Sequence, residues 1–408
     1  MDSSSFIGPD LPSKPLTAQL LVISTLFLLF SVVIGAVITV HPLYLEQFLE
    51  APELVGLVAA LSSFSGMLFS LPTGILADRF SRKRMLTASF LLLAAVLLAF
   101  FLNTSLYALI VLQLLFGMAM APAWVISEAV VKEISPSGQR GEFRSVYGTF
   151  ANAGLFIGPV IGGLLADRFA LRTPYIFAVV LLLASLTFII KLTDNARQST
   201  RVTDRSVSHH EDLRALLKEF SQQRELIVLE LCTAALFFWY SARWVFGPLF
   251  LERLGYSPFV IGLWIAVSAS PYLFFQIPLG RLADRSGKTC LICLGFVIAS
   301  IFIIPLGFLH SLPSLMVTIF VISLGTTLVE PLIEARVTDI VPRERYGAYA
   351  GIFEFAKTFG VMLGPVCSAL FVFLFGITYS FIPAVLFFVL AFALFLRTRQ
   401  TLCSGVPL

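Results

Sequence analysis

Long uncharged, apolar stretches recur along the whole chain and dominate its pattern. No Asp, Glu, Lys or Arg occurs between Lys14 and Glu46, and the same holds for several further stretches. Each exceeds or approaches the roughly 20 apolar residues that cross a bilayer core. Because they are continuously apolar and do not alternate with polar residues, they predict helices and not the strands of a barrel. The further stretches are 54–77, 85–127, 145–166, 173–190, 254–280, 289–329 and 358–396.

Turn-forming residues divide the longest stretches near their middles, at 103–105, at 310–313 and at Gly376. These stretches therefore indicate pairs of helices joined by tight turns. The pattern predicts an all-α membrane protein with twelve transmembrane helices, six in each half. The predicted spans are 18–42, 53–77, 86–103, 106–134, 144–167, 173–193, 226–251, 259–282, 289–309, 313–339, 350–374 and 377–396.

The two halves of the sequence match when one is shifted by 206 residues without a gap. Pro42 then falls on Pro248 and Asp78 on Asp284, and the shared positions are mostly glycine, proline and charged residues. Random similarity between leucine-rich segments would not select those residue types. The repeat predicts two like-oriented six-helix bundles, related by a pseudo-twofold axis, around a central site. We place the amino-terminal bundle at 1–193, a polar cytoplasmic linker at 194–225 and the carboxy-terminal bundle at 226–408.

Composition and charge agree with a lipid environment. The chain is 58% hydrophobic and 13% charged, with a mean hydropathy of +0.93, far from the composition of soluble globular proteins. Of the 28 Lys and Arg residues, 23 fall in inside-facing segments or at the adjoining span ends; Arg168, Arg172 and Arg253 fall in predicted outside loops, and Arg243 and Lys357 lie deeper within spans. This asymmetry predicts a multi-pass protein of the plasma membrane with both termini cytoplasmic. No cleavage site follows the first span, which we expect to be a retained helix.

The same observations exclude several function classes. The net charge of +4 follows from topology and from contact with anionic lipid headgroups, so it requires no nucleic-acid partner. Cys290 and Cys293 have CxxC spacing, but they lie in an apolar span without a second ligand pair. We therefore predict neither a metal site nor a cofactor. The sequence contains no HExxH motif and no aspartate-rich metal motif, which favours a protein that is not an enzyme.

The segment after the second predicted span carries a motif that returns in the second half. It reads GILADRFSRKR over 74–84, and its echo reads GRLADRSGK over 280–288. Both closely resemble the loop signature GxLaDrxGrk of the major facilitator superfamily, although Ser81 replaces the usual second glycine in the first copy. The resemblance covers residues 18 to 396 and implies a rocker-switch membrane transporter.

In that family, the resemblance implies, these loops help to hold the cytoplasmic side closed through a charge network that bridges the two halves. The alternative is that their basic residues only determine topology. The gating residues predicted in this way are Gly74, Asp78, Arg79, Arg82, Gly280, Asp284 and Arg285.

The fifth predicted span is rich in small residues four apart, which let a neighbouring helix approach closely, and its proline weakens the helix locally. Its sequence GLFIGPVIGG, at 154–163, resembles the GxxxGPxxGG motif of the exporters of this superfamily, including drug and proton antiporters. The resemblance implies a packed hinge and export, and close packing without a directional meaning is the alternative. The hinge residues are Gly154, Gly158, Pro159, Gly162 and Gly163.

Two departures from the exporters bear on proton coupling. The exporters usually carry an arginine near the start of the fourth helix, where this chain has Gln113. The first span contains no acidic residue between Lys14 and Glu46, although several drug exporters place one there. Any proton carrier must therefore lie elsewhere in the chain.

Charges inside the spans cluster in the second half. Glu330 and Glu334 lie one turn apart in the tenth span, and Glu354 and Lys357 lie three residues apart in the eleventh. At 1.5 Å per residue both pairs come to roughly 10–17 Å from the cytoplasmic helix ends. A charge at this depth costs at least ~2.5 kcal/mol, so it is expected to be paired or to face a watery cavity.

The repeat separates these charges into two groups. Glu334 matches Glu128 in the first half, which favours a structural role shared by both bundles. Glu330, Glu354, Lys357 and, in the seventh span, Arg243 match uncharged residues, which favours a functional role.

Our hypothesis is that Glu330 or Glu354 binds a proton when the site faces one side and releases it, or pairs with Lys357, on the other. Burial disfavours a charged carboxylate and a nearby ammonium favours it, so alternating access would switch its proton affinity. A static buried ion pair holding the tenth and eleventh helices together is the alternative.

The sequence predicts a secondary active transporter that moves a small organic or amphipathic molecule by alternating access, with proton-coupled efflux as the direction. The alternative is a facilitator or importer of a sugar or organic anion, with Arg243 and Lys357 as anion partners. We expect a monomer in the bilayer whose partners are its small-molecule substrate and protons. Candidate cavity residues, for which a buried or lipid-facing position is the other possibility, are Gln113, Trp124, Asn152, Trp239, Tyr240 and Trp264.

Overall fold

The computed structural model describes residues 14–135, 140–192, 220–341 and 346–404. The predicted linker lies outside the described residues except for its last positions, 220–225. The described part of the chain is helical and contains no strand, so the prediction of an all-α membrane fold is confirmed. Eleven of the described helices are long and apolar enough to cross a membrane, and a shorter apolar helix accompanies them.

The helices follow the predicted spans closely, and most extend a few residues beyond them. In the first half they are α1 (Lys14–Leu49), α2 (Pro52–Arg79), α3 (Arg82–Leu102), α4 (Leu106–Ile134), α5 (Arg140–Arg168) and α6 (Thr173–Lys191). In the second half they are α7 (Arg224–Arg253), α8 (Pro258–Phe274), α9 (Gln276–Ser286), α10 (Lys288–Leu306), α11 (Leu312–Ile340), α12 (Tyr346–Phe375) and α13 (Ile382–Ser404).

The eighth predicted span differs from the structure, because it is broken at Phe275 into α8 and α9. Pro278 lies three residues further on. Its ring has no N–H to donate and would clash with the carbonyl of Phe274, four residues earlier, so a continuous helix is unfavourable there. The sequence prediction treated 259–282 as one helix and was wrong on this point.

Helix packing repeats between the two halves. In the first half α1 packs on α5, α2 on α4, and α3 on α6; in the second half α7 packs on α12, α8 on α11, and α10 on α13. The two bundles meet where α5 packs on α8 and where α12 packs on α2. In the two halves α5 is equivalent to α12, and α8 is equivalent to α2. Exchanging the halves therefore turns the contact of α5 with α8 into the contact of α12 with α2, as a pseudo-twofold axis requires.

The glycines predicted as a hinge in α5 lie at its closest approaches to other helices. Gly158 and Pro159 face Gly35 of α1, and Gly163 lies against Gly262 of α8. The hydroxyl of Thr39 also donates to the carbonyl of Pro159, 3.4 Å away. Helix α5 continues through Pro159 without a break, so the structure shows close packing here and the hinge stays a prediction.

We predict that replacing Gly154 by alanine destabilises the protein, whereas replacing Gly148 in the same helix does not. A Cβ at position 154 would lie 2.5 Å from the Leu28 carbonyl oxygen and from the Ser31 Cβ, and overpacking of this kind costs about 1–3 kcal/mol. A Cβ at position 148 meets nothing within 4 Å, and alanine favours a helix by up to ~1 kcal/mol over glycine. Thermal unfolding of the purified variants in nanodiscs measures the difference; equal midpoints would contradict the packing argument.

Candidate transport and coupling site

The centre of the candidate site is a carboxylate held by tyrosines. Glu330 lies on α11, ten residues before its last residue, Ile340, which is ~15 Å along the helix. Its carboxylate accepts a hydrogen bond of 2.9 Å from the hydroxyl of Tyr240 on α7. The Tyr240 hydroxyl also bonds to that of Tyr272 on α8. Among the described residues, no Lys or Arg nitrogen lies within ion-pair distance of Glu330.

The neighbouring lysine is bound to two other carboxylates. The ammonium of Lys357 on α12 lies 3.1 Å from Glu334 and 3.0 Å from Glu354, and it also stands over the ring of Phe353, 4.7 Å from its centre. Our hypothesis had offered Glu330 or Glu354 as its partner. The structure pairs it with Glu354 and with Glu334, and not with Glu330.

Glu334 is the junction of this network, although its match to Glu128 had suggested a purely structural residue. Besides Lys357 it binds Arg144 of α5, whose guanidinium lies 2.9 Å from its second oxygen. Arg144 belongs to the first bundle, so this ion pair joins the two halves. Sequence reasoning missed the contact because Arg144 lies at the edge of the fifth predicted span and was counted among the residues that set topology.

Two further polar contacts join the bundles. Asn152 of α5 donates to Gln276 of α9 over 3.3 Å. At the opposite ends of the helices, Arg253 of α7 lies 2.5 Å from Glu46 of α1. The bundles are therefore linked by ion pairs at two depths: one near the helix ends that carry the basic loops, which we call the basic end, and one at the opposite end.

Arg243 of α7 is a buried cation that forms no ion pair with any described residue. Only 7% of its surface is exposed, and its Nε and Nη1 atoms have no hydrogen-bond partner among the described residues. The guanidinium carbon lies 5.6 Å from the ring centre of Tyr240 and 5.9 Å from that of Trp244. Rings at this distance attract a cation through their π electrons, but they leave its N–H groups free to donate.

Several residues predicted to line the cavity are enclosed within a single bundle. Gln113, Trp239 and Trp264 have no exposed surface in this structure, and their place in a cavity stays a prediction. Gln113 accepts a 2.9 Å hydrogen bond from His41 and donates to the Val58 carbonyl, which explains why an amide is buried there.

The other predicted cavity residues are less deeply buried or lie close to the site. Trp124 is partly buried and packs its edge against Phe27, with ring centres 4.8 Å apart. Asn152 lies between the bundles, as described above, and Tyr240 belongs to the Glu330 cluster.

Two buried polar residues were missed from the sequence. His41 on α1 is bonded through its second ring nitrogen to the Tyr175 hydroxyl at 2.7 Å. Glu230 on α7 is 7% exposed, and its Oε2 has no hydrogen-bond partner among the described residues. The available signals were the one histidine of the uncharged first span and the one acidic residue of the seventh.

The predicted gating residues are only partly visible. Arg82 forms an ion pair with Glu133 of α4, inside its own bundle, so its described contact does not bridge the halves as predicted. The side chains of the other six lie outside the described residues, and only their helical backbone is placed: Gly74, Asp78, Arg79, Gly280, Asp284 and Arg285.

We predict that Lys357→Gln lowers the free energy of unfolding by about 2 kcal/mol, because it leaves two carboxylates without their shared cation. Breaking a fully buried ion pair costs ~3–5 kcal/mol. The loss here is smaller because Glu354 is half exposed. The matched control is Lys288→Gln, which breaks a more exposed pair with Asp339 and should cost less than about 1 kcal/mol. Adding Glu334→Gln to Lys357→Gln should restore part of the loss. Equal losses in Lys357→Gln and Lys288→Gln, measured by thermal unfolding, would contradict the network.

Comparisons with known proteins agree with this architecture. A family model described as Major Facilitator Superfamily matches residues 21–250 and 231–402. The quinolone resistance protein NorA of Staphylococcus aureus is 26% identical over 349 residues, 85% of this chain and 88% of its own. The multi-drug resistance efflux pump PmrA homolog of Lactococcus lactis is 24% identical over 318 residues, covering 74% and 77% of the two chains.

A solved structure of the nucleoside transporter NupG has the same fold, with a TM-score of 0.78 at 15% identity over 93% of this chain and 99% of that one. With its many apolar helices, the chain is an integral, multi-pass membrane protein. Since the family model matches nearly its whole length, the chain belongs to the major facilitator superfamily of membrane transporters.

Proposed function

We propose that this transporter exports a small organic or amphipathic molecule by alternating access, in exchange for protons. The names of two relatives, a quinolone resistance protein and a multi-drug resistance efflux pump homolog, support export. So does the exporter-type glycine motif in α5. We further propose that the protein acts as a monomer in the plasma membrane, with the basic end of its helices on the cytoplasmic side.

The observation that carries the coupling proposal is the environment of Glu330. It is a carboxylate deep in a transmembrane helix, hydrogen-bonded by Tyr240 and without a cation at ion-pair distance among the described residues. As a charge at this depth it costs ~2.5 kcal/mol or more, and binding a proton removes that cost. Exposure to water on one side of the membrane then favours release of the same proton.

The hydrogen bonds around Glu330 give the proton a structural consequence. A charged carboxylate only accepts hydrogen bonds, whereas a protonated one also donates. A proton on the oxygen that accepts from Tyr240 therefore weakens that bond and alters the chain of hydroxyls from Tyr240 on α7 to Tyr272 on α8. Glu334 and Lys357 complete the surroundings of Glu330 on α11 and α12, and their mutual ion pair leaves Glu330 as the proton carrier.

The ion pairs between the bundles suit a rocking motion. Arg144 with Glu334 joins them towards the basic end, and Arg253 with Glu46 joins them at the opposite end. We propose that each pair breaks when its own side opens. Both pairs are partly exposed, so each contributes little stability, about 0–1 kcal/mol, and is easily broken.

A second candidate function is facilitated transport or import of a sugar or organic anion. Lys357 gives it little support, because two carboxylates already neutralise that ammonium, but the unpaired Arg243 favours an anionic ligand. Counterflow in proteoliposomes with and without a pH gradient separates the two candidates, since a facilitator needs no gradient.

We predict that Glu330→Gln abolishes efflux driven by a pH gradient while substrate exchange without a gradient continues, because glutamine keeps the hydrogen-bond acceptor but cannot carry the proton. Proteoliposome assays with a quinolone and an amphipathic fluorescent dye measure both modes. Glu354→Gln is the matched control: Glu354 is half exposed and already pairs with Lys357, so gradient-driven efflux should persist. Undiminished coupling in Glu330→Gln would end the coupling proposal.

We also predict that joining α1 to α7 at the end opposite the basic loops arrests transport. In a background lacking the five native cysteines, Glu46→Cys and Arg253→Cys replace an ion pair that spans the bundles. A short bifunctional thiol reagent then fixes that end closed. Each single variant treated with the same reagent should transport normally. If the cross-linked double variant transports at the uncross-linked rate, alternating access at this end is wrong.

A further inference from the structure

Arg243 is a cation near the site that forms no ion pair among the described residues. It lies ten residues before the end of α7, at Arg253, which is ~15 Å along the helix. A buried arginine in a membrane protein normally pairs with a carboxylate or a backbone carbonyl. Here Nε and Nη1 have neither among the described residues, and 93% of the residue's surface is covered.

The surroundings of Arg243 fit an aromatic ligand with an oxyanion. Tyr240 and Trp244 present their rings to the guanidinium, and they lie one turn and one residue away on the same helix. Glu330, whose carboxylate accepts from the Tyr240 hydroxyl, forms no ion pair with the arginine in the described structure. The planar guanidinium therefore keeps donors that match the two oxygens of a carboxylate.

We propose that Arg243 binds a carboxylate group of the transported molecule, whose aromatic body lies against Tyr240 and Trp244. The proposal rests on the proposed function in taking the bound molecule as the transported one, and it narrows the substrate class to aromatic carboxylates and zwitterions that contain one. The bound carboxylate supplies the counterion that the protein lacks. The same guanidinium offers nothing comparable to an uncharged or purely cationic analogue.

The test uses matched pairs of probes and no gradient. Benzoate, 1-naphthoate and 3-phenylpropionate, each beside its primary amide, are added at millimolar concentration and neutral pH to the purified protein in nanodiscs. Thermal unfolding and tryptophan fluorescence report binding, because Trp244 lies beside Arg243. We expect at least one acid to raise the unfolding midpoint and quench the fluorescence while its amide does neither.

The variants assign the effect to one side chain. Arg243→Gln should weaken binding of that acid about tenfold or more, since a charge-assisted bidentate contact is lost. Arg243→Lys should recover only part of it, because lysine keeps the charge but not the planar fork. Arg168→Gln, which removes an exposed cation from the end of α5, should bind as the unaltered protein does.

Three results would overturn the proposal: no acid acting on the unaltered protein, acids and amides acting equally, or an acid binding Arg243→Gln with undiminished affinity. The first two require no variant, so a failure of Arg243→Gln to fold leaves the test decisive. Because binding is measured without a pH gradient, these results are independent of proton coupling. If the protein shows gradient-driven efflux but binds acids and amides equally, the carboxylate proposal fails and the proposed export function stands.

Discussion

The absence of water in the hydrocarbon core is the constraint on which the rest of this structure depends. Backbone groups that cannot bond to water must bond within their own segment, which is why the uncharged stretches form helices. The same constraint makes each charged side chain in a span expensive, so its partners show what it does. Lys357 is paired with Glu334 and Glu354. Glu330 instead accepts a hydrogen bond from a tyrosine, and Nε and Nη1 of Arg243 have no hydrogen-bond partner among the described residues.

The partners of a charged side chain separate structural from functional charges more sharply than its depth in the membrane does. A cation held by two carboxylates is already compensated, and removing it mainly exposes its partners. A buried carboxylate with no cation at ion-pair distance among the described residues favours a proton, and a guanidinium whose N–H groups lack partners favours an anion. The two groups both contact Tyr240, so the proposed proton site and the proposed ligand site are joined through one side chain of α7.

Local periodicity and the internal repeat were enough to predict the helices and their pairing into halves. The fourth span was placed at 106–134 and α4 has those bounds, because polar turn residues mark its start and its apolar run is unambiguous. The break at Phe275 was missed because a proline inside an apolar run is common in membrane helices and its effect depends on neighbours. The contact between Arg144 and Glu334 was missed because the two residues come from different bundles, and no pattern within one span reveals such a contact.

Comparison of the halves also shows where the chain departs from its own symmetry. Under the shift that aligns the halves, Gly154, Gly158 and Pro159 of α5 return in α12, whereas Glu330, Lys357 and Arg243 align with Trp124, Ala151 and Val37. The buried Glu230 likewise corresponds to Ser24, itself fully enclosed. Symmetric positions therefore supply helix contacts in both bundles, and these four charges occur in one copy only. A charge inside a membrane is costly, so it is retained only where it serves a purpose. An uncompensated charge that is present in only one of the two halves is therefore the best indication of the transport chemistry.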